Sequence, residues 1–208
     1  MSTTATPLKF KVKKGQITFN AEGNDAEKTL YFSRVIHWPG NALSGVTIGR
    51  GYDLGNRTKA AVKLGMTKAG VSEDTAKAIA EGAGLKGSKA KDFVKKNKST
   101  IGSITHEQQV KLFDNIYPDY EVRAKTNYDK WTASEKDRVV WSKLHQAIRD
   151  VMVDFVYQGF TRGAKPMKAG MNNDFDELIK YVNGSSVMKR YEAGRSRVPY
   201  LKNRKPAK

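Results

Sequence analysis

Ser44-Gly-Val-Thr-Ile-Gly-Arg-Gly-Tyr-Asp-Leu-Gly55 is the stretch on which the fold turns. It reads as a short extended segment punctuated by glycines, and it carries Thr47, Arg50, Tyr52 and Asp53 within seven residues. On an ideal strand Thr47, Gly49, Gly51 and Asp53 share one face. A straight strand would hold Thr47 and Asp53 about 20 Å apart, at ~3.3 Å per residue. For both side chains to serve one site the backbone must bend at Gly49 or Gly51, where glycine permits it. Upstream lies Ala21-Glu22-Gly23, a carboxylate between small residues. No Asp or Glu occurs between Glu27 and Asp53. A carboxylate pair in this region therefore draws one member from Glu22, Asp25 or Glu27 and the other from Asp53.

Working outward, residues 1–14 read as a flexible basic lead, and the domain spans residues 15–208. Lys9-Phe-Lys-Val-Lys13 alternates apolar with basic, as an edge strand does. Gln16-Ile-Thr-Phe-Asn20 alternates again, with a turn at Lys14-Gly15 between them. Asn24 to Ile36 fits either a helix capped by Asp25 or a strand. Trp38-Pro-Gly-Asn41 is a turn. Helical patterns follow over 58–66, 72–83 and 88–97. Thr105-His-Glu-Gln108 has capping-box form and opens a helix interrupted at Pro118. Thr132-Ala-Ser-Glu135 has the same form. It is expected to open the most apolar helix, with Leu144, Ile148, Val151, Met152, Phe155 and Val156 at helical spacing, ending at Gly159. Asp174 caps another helix, and a last one covers about 187–193. The fold class is α+β: a small N-terminal β part, then a mainly helical lobe with one buried central helix.

A length of 208 residues allows one sizeable domain. There is no cysteine, so no disulfide and no thiolate metal site. His37, His106 and His145 are scattered, so neither a metal nor a cofactor is expected. No apolar run reaches the roughly 18 residues of a membrane span, and the N-terminus lacks a signal-type apolar stretch. A protein made in the cytoplasm and carried outward by other means is expected. The net charge of +17 predicts attraction to polyanions. The cations cluster at both ends: Lys9, Lys11, Lys13 and Lys14 precede the first acid, and eight Lys/Arg lie between Lys189 and Lys208 with only Glu192.

The Glu22, Thr47 and Asp53 set suits glycoside hydrolysis, which needs an acid on one side of the scissile bond and a group that orients water on the other. Ile17 and Phe19 near Glu22 are the kind of neighbours that raise a carboxyl pKa. Each residue also has an ordinary reading: an exposed surface acid, a sheet position, a turn or cap. A non-catalytic basic module that binds nucleic acid or wall polyanions is the alternative. It lacks a helix-turn-helix, zinc-finger or RNA-binding sheet motif.

Glu22-Gly, then Tyr31-Phe-Ser-Arg-Val-Ile-His-Trp-Pro-Gly40, then Ser44 to Gly55, resembles the catalytic domain of pesticin-type muramidases. These form a branch of the phage-lysozyme-like glycoside hydrolases. Val153-Asp-Phe-Val-Tyr-Gln-Gly159 is similar to the Tyr/Phe-Asn-x-Gly element that ends the family's long apolar helix, with Gln158 where Asn is usual. The likeness covers the chain from about Gly15. It implies a lysozyme-like fold and cleavage of the β-1,4 bond between N-acetylmuramic acid and N-acetylglucosamine, with inversion. Glu22 would be the general acid, and Thr47 and Asp53 would hold and activate water. The interval before Thr47 lacks the usual family acid, which favours the arrangement with Asp after it; Asp25 and Glu27 remain alternatives to Glu22. Tyr31, His37, Trp38, Arg50, Tyr52 and Gln158 would line the sugar groove. The partners implied are peptidoglycan strands, anionic wall polymers or lipopolysaccharide at the basic termini, and an immunity protein if the chain is a toxin domain. A monomer acting on the wall, as a phage endolysin or an antibacterial effector domain, is expected.

Overall fold

The computed structural model describes residues 11–29, 32–161 and 163–207. The chain is mainly helical with one small antiparallel sheet. It divides into two compact units. Of the described residues, the first comprises those up to Lys14 and within Glu22–Ile116; the second comprises those within Gly15–Ala21 and from Tyr117 onward. Among the described residues no helix is long and apolar enough to cross a membrane.

In the first unit, strands β1 (Thr47–Ile48) and β2 (Tyr52–Asp53) pair antiparallel, with Thr47 opposite Asp53 and Ile48 opposite Tyr52. The run expected to be extended is therefore a hairpin. Gly49 (φ 63°) and Gly51 (φ 83°) both take left-handed backbone on either side of Arg50, which a Cβ would oppose. His37 and Thr47 exchange both backbone hydrogen bonds at 2.8 Å, which adds a third short segment to the other side of β1.

Helices α2 (Lys59–Lys68), α3 (Glu73–Ala80) and α4 (Gly87–Ile101) follow. The side chains of Thr58 and Ser72 cap α2 and α3 by accepting from Ala61 N and Thr75 N. Ile36, Val46, Ile48, Leu54, Met66 and Ile79 are fully buried and form the core around the hairpin. Asn24 to Ile36, ambiguous in sequence, contains neither helix nor ladder among its described residues, only isolated bridges at Asn24–Phe32 and Val35–Ser103. Asp25 caps nothing.

Helix α5 (His106–Thr132) opens with the expected reciprocal cap. Gln108 N donates to Thr105 Oγ1 at 3.1 Å, and Thr105 N donates to Gln108 Oε1 at 2.8 Å. It is not interrupted at Pro118, as the sequence suggested. Pro118 lies on the exposed side, where water can take the place of the missing N–H.

Residues Gln16–Ala21, expected as a strand, form helix α1 of the second unit. Ile17, Thr18 and Phe19 are buried in succession, so no alternating polar face exists for a half-buried strand to present. The apolar helix expected after Thr132-Ala-Ser-Glu135 begins later. Thr132 instead ends α5, its hydroxyl donating to Tyr128 O. Helix α6 (Gln146–Tyr157) starts where His145 Nδ1 accepts from Ala147 N. All residues from Asp150 to Val156 are buried, as the wide apolar stripe indicated. Then come α7 (Lys165–Lys168), α8 (Phe175–Gly184), α9 (Ser186–Arg195) and α10 (Arg197–Lys202). Asp174 caps α8 through Asp176 N and Glu177 N. Phe19, Phe155, Leu178 and Leu201 are fully buried in this unit.

Two of the eight C-terminal cations face inward. Arg195 and Arg197 bind the completely buried Asp154 at 2.8 and 2.6 Å, and Arg197 is itself fully buried. That pair serves packing rather than attraction to a polyanion. The N-terminal lysine Lys9 lies outside the described residues.

A candidate active site at the hairpin and Glu22

Directly opposed residues of an antiparallel pair project to the same face. His37, Thr47 and Asp53 therefore form one row across the three segments. Thr47 is buried, with its hydroxyl 3.4 Å from Gly45 O. The Asp53 carboxylate accepts from Gly45 N at 3.2 Å and Gly55 N at 2.6 Å, which closes the base of the hairpin. His37 Nδ1 donates to Val35 O at 3.1 Å. Burial pushes the His37 pKa down, and the charge of Lys98 adds to that, so the ring stays neutral near neutral pH.

Arg50, at the apex between Gly49 and Gly51, turns inward and is only 4% exposed. Its guanidinium donates to Gly23 O and, at 2.7 Å, to Asp25 Oδ2. The apex is thus tied to the backbone immediately after Glu22. Burial lowers the Arg50 pKa, and the charges of Asp25 and Glu22 counter it. Glu22 itself is half-buried, just beyond the last residue of α1.

Asp25 is the hub. Besides Arg50, it accepts from Gln109 Nε2 at 3.0 Å and lies 3.1 Å from His106 Nδ1 and 3.0 Å from Arg34 Nε. Gln109 Oε1 accepts in turn from Ser33 Oγ at 2.7 Å. Arg34 adds its charge at 3.0 Å without a hydrogen bond from Nε, so the carboxylate is ringed by two hydrogen-bonded donors, an imidazole and a second guanidinium. Burial would raise the Asp25 pKa; the His106 hydrogen bond and Arg50 together outweigh it, and the group lies below the usual carboxylate value. The sequence alone did not reveal Arg34, His106 and Gln109 as partners. One signal existed: the Thr105 cap sets the start of α5, and His106 and Gln109, three apart, then share a helical face.

The remaining expected groove residues are dispersed in role. Tyr52 is 2% exposed, its ring under the Arg57 guanidinium at 4.3 Å and its hydroxyl against Gly65. It is a packing residue, because burial leaves no face for a sugar. Trp38 is half-buried with Lys91 over its ring at 6.0 Å. Gln158 belongs to the second unit, where it ends α6 and its Oε1 accepts from Arg197 at 2.5 Å. Tyr31 lies outside the described residues. Glu27 is exposed, 3.7 Å from Arg34. Among the described residues no group of three His, Cys, Asp or Glu could hold a metal ion.

Comparison with known families matches residues 15–199 to the family described as Domain of unknown function (DUF8812), and the chain belongs to that family. A search of curated proteins finds no match.

Proposed function

We propose that this member of the DUF8812 family is a lysozyme-like peptidoglycan hydrolase, an N-acetylmuramidase with Glu22 as its general acid. The observation that carries the reading is the hairpin. Thr47 and Asp53 stand opposite each other, and Arg50 at the apex is bonded to the carbonyl next to Glu22. Thr47 and Asp53 thus lie across one turn from each other, in the same unit as Glu22.

The choice among the acids also supports it. A general acid must be protonated at its working pH and able to give that proton up. Asp25 is surrounded by cations and donors and held ionised, which unsuits it. Its negative charge also pairs with Arg50, so less of the guanidinium charge bears on Glu22. Glu27 is exposed and paired with Arg34 at 3.7 Å. Glu22, half-buried at the end of a helix, is the remaining carboxyl. In this scheme Glu22 protonates the leaving oxygen. Thr47 and Asp53 orient the water, Asp53 with a carboxylate that the two glycine amides already hold in position. Inversion is expected. The site of action would be the bacterial wall, reached as an endolysin or as a toxin domain met by an immunity protein.

Clearing of purified wall suspensions, with reducing ends counted, tests the reading. Native protein should lyse the suspension and Glu22→Gln should not, with an unchanged melting curve. A Glu22→Gln variant that lyses walls at the native rate would sink the proposal. A DNA-shift assay run alongside covers the reading as a basic binding module.

A further inference from the structure

A groove of about 550 Å³ runs beside α4 in the first unit, with Glu27, Phe32, Val35, Lys95, Lys98 and Ser99 among its walls. Lys91, Lys95 and Lys98 recur at helical spacing, so they line one face over about 10 Å of axis. All three are exposed, and none forms an ion pair among the described residues. Some other cations of this unit are answered internally: Arg34 and Arg50 by Asp25, Lys59 by Glu81, Lys111 by Glu107. The lysines beside the groove are not, and they stand together along one edge of it.

We propose that this groove binds an acidic peptide carrying several carboxylates and one free ammonium, namely the peptide stem of the wall glycan; that identification of the peptide rests on the muramidase reading. The composition of the walls selects this class. Lys95 and Lys98 take carboxylates. Phe32 and Val35 take the aliphatic parts of short side chains, and Ser99 is placed to bond a peptide group. Glu27, 71% exposed on the same groove, pairs with Arg34 through Oε1 at 3.7 Å, and its other oxygen suits an ammonium. A polyphosphate or nucleic acid has no positive group to offer Glu27 and would be repelled by it. Arg34 already lies over the Phe32 ring at 4.9 Å, so one face of that ring is taken and unavailable to a stacking base.

The groove would then read the peptide while the hairpin meets the glycan, so that cross-linked, peptide-bearing strands bind better than bare glycan. Contacts of this kind act uniformly on ground and transition states and lower KM rather than raise kcat.

The test is calorimetric titration at low salt with a synthetic stem tetrapeptide bearing a diamino acid. Native protein should bind it. Lys95→Ala/Lys98→Ala, changes at two exposed positions whose fold is checked by circular dichroism, should bind at least fivefold more weakly. Amidating the peptide carboxylates should cost as much, and Glu27→Gln should weaken only peptides with a free ammonium. Equal affinity of native and double variant, no binding by native protein, or tighter binding of poly(glycerol phosphate) through the same lysines would overturn the proposal. The two readings separate cleanly. Peptide binding without wall lysis supports the groove and removes the muramidase. Wall lysis without peptide binding removes the groove alone.

Discussion

Arg50 Nη2 lies 2.7 Å from Asp25 Oδ2, and through that contact the tip of a glycine hairpin holds the segment that carries Glu22. Arg50 is almost wholly enclosed, whereas Asp25 retains 22% of its side-chain exposure. The pair is therefore structural first. Removing either member leaves the other's charge less well compensated, which costs more than the net worth of the pair itself.

Arg50→Ala and Asp25→Asn should each lower stability by about 2–3 kcal/mol. Their effects should not add, with a coupling of about 1–2 kcal/mol in a double-mutant cycle. Urea unfolding of the four proteins measures this. Under the proposed muramidase function, both variants should also lose wall lysis beyond their loss of stability, since the backbone beside Glu22 loses its anchor.

Acid should reveal Asp25. Its folded pKa lies below its unfolded one, so the unfolded chain takes up the proton first as pH falls. The stability it provides is fully present above about pH 4, the ordinary carboxylate value, and is lost as pH falls through the depressed folded value. The stability gap between native protein and Asp25→Asn should be present at about pH 5 and close below about pH 4. A gap that widens in acid would contradict the assignment.

Asp154 in the second unit should be still less tolerant. It is fully buried between Arg195 and the fully buried Arg197. Asp154→Ala leaves Arg197 charged and enclosed, and should cost about 3–5 kcal/mol, a fall of many degrees in a thermal melt. Gln158, bonded to the same guanidinium, offers only a neutral acceptor and cannot replace the charge.

Gly15→Ala should destabilise although the change is one methyl. Gly15 has φ 70°, and a Cβ there would overlap the Tyr117 ring. Left-handed strain and overpacking together should cost roughly 2–4 kcal/mol. Gly70→Ala is the control, for it shares a positive φ but has open space around the added carbon; its loss should be limited to about 1–2 kcal/mol. Thermal melts of the two variants give the comparison.

Local chemistry made several elements legible from the chain alone. Thr58, Ser72, Thr105 and Asp174 start helices because a side-chain oxygen satisfies a nearby orphan N–H, an interaction three residues long. The burial of α6 was legible because its apolar residues recur on nearly every side. The need for a bend between Thr47 and Asp53 followed from strand length and the two glycines. Burial and distant partners decided the rest. Gln16–Ala21 alternates like a strand yet is helical, because its successive residues are all enclosed by tertiary packing. Thr132-Ala-Ser-Glu135 has the letters of a cap, but Thr132 spends its hydroxyl on the preceding turn. Asp25 could not be told from Glu22 by position. Only the fold, bringing Arg34 and Arg50 together with His106 and Gln109 from more than 80 positions away, turns one carboxylate into an anchored anion and leaves the other as the candidate acid. Periodicity and capping are properties of neighbours in sequence; the charge state of a carboxyl is set by neighbours in space.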